Sequence, residues 1–555
     1  MIGKYDYGLD LQVVQSRRQQ VNFIRHCSLK LRSIIHIPIT LFLVSFLIGQ
    51  DDPPAESKSV QGAFGAVTID GKIWNQIALR PVLPFGKLAI AFDIVLYIDQ
   101  DGNIHDEGWD FSSGEKIKNT ILDKIYYIRY GRRQDPYYFR VGALDHVAMG
   151  YGILANGYSN SILYPQVRKV GMEARVRAFD LNFFGFTNDF KENLGLAGMR
   201  VSGKVPGGLT MGVSFAADRN QYLGLKDRDG DGRPDLVDDF PDDKIYWLDT
   251  DGDGWADNDT LNEFDVDGDG WTDSSFTYPL FGIVIDTDGV PTKPEPINIK
   301  KESESVESFA IDLGRPLFSQ GNLAVHVYTQ AAALIGKTTN PKTLDRESLG
   351  IGITPLGISA SFGPARFSWE YRMMPKGKFE FGYFNRSYEI ERATFSSITT
   401  TALAGNTGTI VTKASKLGKY GKQNGYFSRL TVDVGSFLQG GLSYQNLHGE
   451  QWQAQRQDFE EETNQSFTAM VKLKKSISRI KTANWFYQQR NVPNPFEFEF
   501  SESTITGYRI GLELGNGMVL NYIFRRSFRD LNGDGDVTDK GEMLNMTSIE
   551  TSFSF

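Results

Sequence analysis

The chain has 555 residues and a net charge of −9, with 13% aromatic residues and 57 glycines. Its length exceeds one ordinary core of ~100–200 residues, so it forms either several domains or one large closed β structure. No run of lysine and arginine is interleaved with aromatic residues, which argues against nucleic-acid binding. The aromatic and glycine content favours β structure with many turns over helices.

The N-terminal segment predicts secretion. An apolar run at residues 34–49 follows Arg25, Lys30 and Arg32 and precedes a polar stretch. This order predicts an N-terminal extension with a secretory signal peptide at residues 1–49, followed by a short linker at residues 50–58. The apolar run is shorter than the ~20 residues of a membrane-spanning helix, although a retained membrane anchor is the alternative. The chain has one cysteine, which precedes the apolar run, so the mature protein would contain none.

Beyond this segment, apolar residues recur at every second position and no helical period persists. One such run contains Leu209, Met211, Val213 and Phe215, which alternate with small or polar residues. Alternation of this kind predicts strands with one apolar face. Short turns, such as residues 204–208, alternate along the chain with long polar loops.

Short turns on one side and long loops on the other are typical of a transmembrane β-barrel, whose strands need only ~9–11 residues. Closure matters because lipid offers no partner to an unpaired edge strand. We therefore predict an all-β, antiparallel transmembrane β-barrel over residues 59–555, with an even number of strands between about 14 and 20. Each connection reverses the direction of the chain, so strands can be assigned as up or down from the N-terminal strand onward or from the last strand backward. The two assignments agree if residues 366–390 form one long excursion.

The C-terminal sequence MLNMTSIETSFSF also alternates, with Ile549, Phe553 and Phe555 on one face and Glu550 on the other. Here the chain resembles bacterial outer-membrane β-barrel proteins, in which the barrel-assembly machinery recognises a terminal phenylalanine on an alternating strand. The resemblance covers the architecture from about residue 60 onward and names no subfamily. It implies a location in the outer membrane, with membrane lipid and, through Phe555, the assembly machinery as partners.

An acidic segment at residues 224–276 is predicted to be an extracellular insert within the barrel. Residues 226–276 contain 18 carboxylates and 4 basic side chains. Three copies of the pattern DxDGDGxxD place aspartates at the same four offsets. The aspartates are Asp227, Asp229, Asp231 and Asp235 in the first copy, Asp249, Asp251, Asp253 and Asp257 in the second, and Asp265, Asp267, Asp269 and Asp273 in the third.

This spacing predicts calcium binding. Ca²⁺ takes about 6–8 oxygen ligands, and the glycine after the third aspartate allows the chain to turn sharply around an ion. Mg²⁺ keeps more of its water, so Ca²⁺ suits these ligands better. The opening of an EF-hand loop has the same spacing, but its later glutamate and flanking helices are missing here. The pattern resembles thrombospondin type 3 repeats and related bacterial arrays, which implies that these aspartates bind calcium. A solvated acidic loop is the alternative.

A fourth candidate calcium loop lies near the C-terminus. Asp530, Asn532 and Asp534 supply the ligand positions, and Gly535 occupies the turn position. The alternative is a tight polar hairpin end, since the same residues are common in turns.

Catalysis has no support in the sequence, because the histidines form neither a metal-ligand pair nor a nucleophile motif. We therefore expect no enzymatic activity. The sequence GYGILANG at residues 150–157 mimics a nucleotide-binding loop but lacks the strand-to-helix context that such a loop needs. One hypothesis is that this loop folds into the barrel and narrows it.

Charged residues occupy positions that would face the barrel interior, which requires either a wet or an internally paired lumen. These residues are Glu370, Arg372, Arg429, Asp433, Arg509, Glu513 and Arg525. We predict a porin-like channel for small solutes with calcium-stabilised extracellular loops. Two alternatives remain open, namely a lumen plugged by paired charges and a calcium-dependent surface adhesion or recognition protein that the barrel anchors.

Overall fold

The structure is a computed structural model, and it describes residues 59–69, 71–105, 108–259, 293–397, 407–531, 536–539 and 541–554. Over these residues one sheet of 21 segments closes on itself. Two of the segments, Leu88–Phe92 and Ile94–Ile98, are the halves of one strand interrupted at Asp93. The sheet is therefore a barrel of 20 strands.

The strands follow one another in chain order around the barrel, and each pairs antiparallel with its neighbours. They are β1 Ser59–Ile69, β2 Lys72–Phe85, β3 Leu88–Phe92 with Ile94–Ile98, β4 Ile125–Tyr130, β5 Tyr137–Gly142, β6 Gly171–Ala178, β7 Leu181–Thr187, β8 Leu196–Val205, β9 Leu209–Asp218, β10 Val306–Gln320, β11 Leu323–Ile335, β12 Ile351–Phe362, β13 Ala365–Met374, β14 Tyr420–Val434, β15 Leu438–Gln453, β16 Asp458–Leu473, β17 Ile480–Val492, β18 Ile505–Gly515, β19 Met518–Phe528 and β20 Met543–Ser554.

The barrel closes between its first and last strands. The β1–β20 pairing runs from Gln61 opposite Ser554 to Val67 opposite Ser548. Inside the seam, Arg80 and Gln76 of β2 both bind the Glu550 carboxylate, each at 2.6 Å. The predicted closed, antiparallel, all-β barrel is confirmed, with a strand number at the upper end of the predicted range.

Connections on one side of the barrel have six residues or fewer, whereas the other side carries the long loops 99–124, 143–170, 219–305 and 375–419. We call these the turn side and the loop side.

One expectation was wrong, because residues 366–390 are not a single excursion. Ala365–Met374 is a barrel strand that pairs with both neighbours, and the excursion begins after it.

Helix is scarce in the described residues. A helix at Gly114–Asp123 begins at Ser113, whose side chain accepts the Lys116 N–H, and a single turn forms at Tyr388–Glu391. None of the helices that the structure describes is long and apolar enough to cross a membrane.

The outer face of the barrel is apolar. Large hydrophobic side chains stand exposed around it, among them Phe64, Phe215, Leu442 and Ile549. On the inner face the same strands carry buried polar groups such as Glu550. An apolar exterior on a closed sheet is the pattern of a transmembrane barrel, in which every strand has two partners and lipid surrounds the wall. The predicted signal segment and Phe555 lie outside the described residues.

Candidate functional site

Two loop-side segments, 143–170 and 375–419, meet inside the barrel. Short strands from the two loops form a three-stranded sheet, in which Phe384–Asn385 runs parallel to Ala155–Tyr158 and Val147–Ala148 runs antiparallel to it. The buried aromatic and aliphatic side chains of both loops pack into one core cluster with residues of the wall. The lumen is therefore partly filled by a small core of its own.

The tip of the first loop reaches the inner face of the barrel wall at β8 and β11. The Tyr151 ring stacks on Tyr328 of β11 with centroids 3.9 Å apart, and its hydroxyl lies 2.6 Å from Nε2 of His326, near the turn-side end of β11. Asn156 accepts a hydrogen bond from Arg429 of β14 at 2.8 Å. These contacts support the hypothesis that residues 150–157 fold into the barrel and narrow it.

Gly150 makes this close approach possible. Its φ is +57°, and a Cβ at this position would lie 2.7 Å from Nη1 of Arg200. Arg200 of β8 is itself held by both carboxylate oxygens of Asp312 on β10. The loop tip thus rests against a wall ion pair that has little freedom to move.

Most of the charged residues that were predicted to face the barrel interior form ion pairs. Arg372 binds Glu370 at 2.6 Å, and Glu370 also accepts the Tyr328 hydroxyl at 2.8 Å. Lys474 lies 3.2 Å from Asp433, and Lys481 lies 2.9 Å from Glu513. The remaining three have other neighbours, since Arg429 bonds Asn156, Arg509 lies 3.5 Å from Asn521, and Arg525 lies beside a second cation, Arg386.

A buried network centred on Arg392 secures the inner loops to the wall. The Arg392 guanidinium is 2% exposed, binds both oxygens of Asp218 at 2.6 and 2.9 Å, and binds Glu192 at 2.7 Å. Lys169 of the first loop contacts Glu192 and binds Glu389 at 2.7 Å. Burial alone would raise the pKa of Glu192, but Lys169 and Arg392 lower it to about 2.

A second network of ion pairs connects the loop 375–419 to β17. Glu380 accepts from Arg490 at 2.6 Å and lies 3.1 Å from Lys413, and Lys413 also binds Glu391 at 2.5 Å. Burial raises the pKa of Glu391, yet Lys413 and Arg490 bring it down to about 2. The loop 375–419 is therefore anchored by charge at both ends of its course through the lumen.

The first two acidic repeats fold alike on the loop side. In the first, the N–H groups of Gly230 and Gly232 donate to Asp227 at 2.8 and 3.0 Å. In the second, those of Gly252 and Gly254 donate to Asp249 at 2.7 and 3.1 Å. Equal spacing in the sequence has thus produced the same local turn twice.

Three carboxylates converge in each repeat. One oxygen from each of Asp227, Asp229 and Asp231 lies within 4.8 Å of the others, and the same holds for the second trio, Asp249, Asp251 and Asp253. Within the described residues, Oδ2 of Asp229 is buried and accepts no hydrogen bond. This donor set fits a hard divalent cation, because carboxylate oxygens are its preferred ligands.

In the two described repeats, the fourth aspartate also closes the turn. Asp235 accepts the Arg228 N–H at 2.8 Å, and Asp257 accepts the Thr250 N–H at 2.8 Å, so each closes the turn of its own repeat. The third repeat, with Asp265, Asp267, Asp269 and Asp273, lies outside the described residues, as do Asn532 and Asp534 of the fourth candidate.

The insert also packs on a neighbouring loop, which the sequence did not indicate. Val237 of the insert, together with Tyr222 just before it, is buried against Phe395 and Ile410 of the hairpin Ala393–Ser397 and Gly408–Thr412. Arg392, at the start of this hairpin, was missed as well. Its partner Asp218 lies 174 residues away, and no local pattern marks the pair.

Comparison with known proteins gives structural similarity only. No family model matches the chain. No curated protein matches it. Among solved structures, it is similar to the outer membrane protein OprD from Pseudomonas aeruginosa, with 8% identity, 92% of this chain and 98% of that chain covered, and a TM-score of 0.32. Pseudomonas aeruginosa OccK8 (OprE) gives 9% identity, 92% and 99% coverage and a TM-score of 0.33.

The structure itself defines the class of the protein. A closed barrel of antiparallel strands, apolar outside and polar inside, with short turns at one end and long loops at the other, is the architecture of bacterial outer-membrane proteins. The chain is an outer-membrane β-barrel whose lumen is narrowed by its own loops.

Proposed function

We propose that the protein is a porin-like channel for small solutes. The observation that carries this proposal is the charged inner wall, together with a folded loop whose tip contacts the wall at Tyr328 and Arg200. Ion pairs on the wall are compatible with a wet lumen, where water and neighbouring charges both solvate them. The inner loops restrict the passage, as a channel for small solutes requires.

Conductance in planar bilayers tests the channel directly. We expect the purified full chain to give reproducible open-channel steps, and replacement of residues 147–157 by a short glycine–serine linker to increase their size. Deletion of residues 226–276 is the matched control, because the sequence predicts this segment to be an insert outside the barrel wall, and its loss should leave conductance largely intact. A barrel that stays silent both with and without the inner loop would contradict the proposal and favour the surface adhesin.

We propose further that Ca²⁺ stabilises the extracellular loops through the two aspartate trios. The convergence of three carboxylates in each trio supports this, because without a cation their mutual repulsion opposes the compact turn. Calcium would also favour the packing of Val237 on the hairpin at Phe395.

Limited proteolysis of the full chain with and without calcium tests this second proposal. Calcium should protect the insert, and the variant Asp229→Asn/Asp251→Asn should lose the protection. Asp458→Asn is the control, since it makes the same kind of charge change at an exposed site on β16. Equal cleavage with millimolar calcium and with chelator would contradict the proposal.

A further inference from the structure

The loop between β17 and β18 folds over the outside of the barrel. We call residues 494–500, with the sequence NPFEFEF, the aromatic strap. The Phe496 ring lies 5.5 Å from Tyr444 of β15 and 5.2 Å from Phe467 of β16, and the Phe498 ring lies 5.8 Å from Tyr487 of β17. The strap therefore crosses three neighbouring strands on one face of the wall.

That face is the lipid-facing one. Tyr444, Phe467 and Tyr487 alternate in phase with Leu442, Val471 and Trp485, which are 50%, 40% and 42% exposed on the outside of the barrel. In an antiparallel strand, residues two apart point to the same side. The strap thus covers outward side chains and makes no part of the lumen.

The strap lies where the outer surface changes from apolar to polar. Going from the turn side to the loop side, the outward residues of β15 are Leu442, Tyr444, Asn446, His448 and Glu450. Those of β16 are Val471, Ala469, Phe467, Gln465, Thr463 and Glu461. On a transmembrane barrel this change marks the boundary between membrane and water, where aromatic residues collect. The strap contacts the last aromatic residue of each strand before that boundary.

Beneath the strap, a polar side chain on the lipid side of the wall is fully satisfied. Gln489 is 2% exposed, accepts the Tyr487 hydroxyl at 3.0 Å and donates to the backbone carbonyl of Glu499 at 2.6 Å. A polar group without a partner would be costly at this level of a membrane. The backbone of the strap supplies that partner at Glu499, so the strap satisfies the polar group that it covers.

The strap keeps an apolar surface of its own. Phe496 and Phe498 remain 49% and 50% exposed after their contacts with the barrel, and they alternate with Glu497 and Glu499. The φ of Phe498 is +56°, a backbone conformation that a bulky side chain rarely adopts. The contact with Tyr487 holds the Phe498 ring against the wall, and about half of the surface of each phenylalanine remains exposed.

We propose that the aromatic strap is a lipid-binding segment that lies in the outer leaflet at the boundary between headgroups and acyl chains. Its exposed phenylalanine surface continues the lipid-facing band formed by Leu442, Val471 and Trp485. Glu497 and Glu499 are exposed on the same segment, so their carboxylates can reach water while the rings face lipid. The strap widens the apolar band across β15 to β17 and covers Gln489.

An environment-sensitive label tests the proposal in the full chain. Phe498→Cys, in a background with Cys27→Ser, is labelled with a nitrobenzoxadiazole fluorophore and reconstituted in phosphatidylcholine vesicles. We expect blue-shifted emission and stronger quenching by lipid carrying a nitroxide near the headgroup than by lipid carrying it near the chain end. Leu344→Cys is the aqueous control, because Leu344 is 76% exposed in a loop-side connection, and its label should be quenched by iodide.

Val471→Cys shows that the barrel is correctly inserted, since its label should be quenched most by the deep nitroxide. With that result in hand, two outcomes overturn the proposal. In one, the Phe498 label behaves like the Leu344 label and is quenched by iodide, which places the strap in water. In the other, it is shielded from both nitroxide and iodide, which means that a second protein surface covers the strap.

Discussion

Arg392 lies at the centre of the buried ion-pair network that anchors the inner loops. It is buried with Asp218, Glu192 and Glu389 around it. A buried cation of this kind offsets its desolvation only through such partners, and the partners in turn need the cation. Arg392 lies within the loop 375–419, immediately before the hairpin of Ala393–Ser397 and Gly408–Thr412. It therefore links the part of the loop inside the lumen to the part that packs on the acidic insert.

Arg392→Ala should therefore lower the free energy of unfolding by about 3–5 kcal/mol, because it leaves carboxylates buried without their cation. Urea unfolding of the reconstituted barrel measures the change. Arg456→Ala removes an exposed arginine from its pair with Glu460 and should cost at most about 1 kcal/mol. Equal effects of the two substitutions would show that the network contributes no more than a surface ion pair.

Gly150 offers a second test at the level of one residue. Gly150→Ala combines the strain of a positive φ with a contact against Arg200, which Asp312 prevents from moving aside. We expect the loop tip to shift away from the wall, so that the open-channel current becomes larger or noisier. Gly157→Ala is the matched control, since Gly157 also has a positive φ but has open space around its Cβ position. The same current in both variants would mean that the close approach at Arg200 does not set the opening.

Among the elements that the structure describes, the loop 375–419 links several separate parts. It pairs with the first inner loop through Phe384, binds β17 through Glu380, and contains the hairpin that carries Phe395. Its anchors are charged groups and not a hydrophobic face alone. The loop should therefore respond to pH more strongly than the sheet around it.

Acid should loosen the inner loops. Cations hold the pKa of Glu192 and of Glu391 at about 2, below the usual 4.5, so the folded arrangement gains stability above pH 4.5 and loses it as the pH falls toward 2. Asp189 acts in the opposite sense, because burial raises its pKa to about 6 and its ionisation costs stability as the pH rises through that value. Single-channel recordings should show current noise that increases between pH 4.5 and pH 2.

The double variant Glu192→Gln/Glu391→Gln provides the control for this pH effect. Neither glutamine titrates, so its current noise should vary little across the same range. A wild-type channel with constant noise from pH 5 to pH 2 would contradict the assignment of the acid response to these two carboxylates.

Local patterns were predictable from the sequence, and contacts between distant segments were not. Alternation identified strands such as Leu209–Asp218, because a two-residue period is written directly in the chain. The count of strand directions wrongly placed Phe367, Trp369 and Tyr371 in an excursion, although they alternate with polar residues and lie on the strand Ala365–Met374. The aspartate spacing predicted a sharp turn in each of three repeats, and in the two repeats that the structure describes, hydrogen bonds to the first aspartate form that turn.

The contacts that the inner loops make with the wall could not be predicted from the sequence. Glycines flank Tyr151 and marked a tight segment, yet nothing in the sequence indicated that its ring would stack on Tyr328. The pair of Arg392 and Asp218 depends on the whole barrel bringing β9 and the loop 375–419 together. Such contacts form only when the sheet has closed into a barrel. Because closure depends on all the strands together, no local pattern in the sequence reveals these contacts.

At the scale of the whole molecule, closure brings together residues that are almost as far apart in the chain as the barrel allows. Gln76 and Arg80 of the second strand meet Glu550 of the last strand across the seam. Because each strand has two neighbours, the seam resembles every other pair, and the sheet has no edge exposed to lipid. The lumen and its loops exist only when this seam is formed.

A disulfide across the seam tests closure in the membrane. Ala66 and Ile549 are paired in the β1–β20 register and share the outward face, so cysteines at both positions lie within the ~4.4–6.8 Å between Cα atoms that a disulfide needs. With Cys27→Ser, the variant Ala66→Cys/Ile549→Cys should oxidise completely, and the cross-linked barrel should resist heat unfolding on a gel until it is reduced. Ala66→Cys/Leu442→Cys is the control, because Leu442 lies on β15, several strands from the seam, and should not cross-link. Cross-linking of the control alone, or of neither pair in a folded barrel, would contradict the register that closes the sheet.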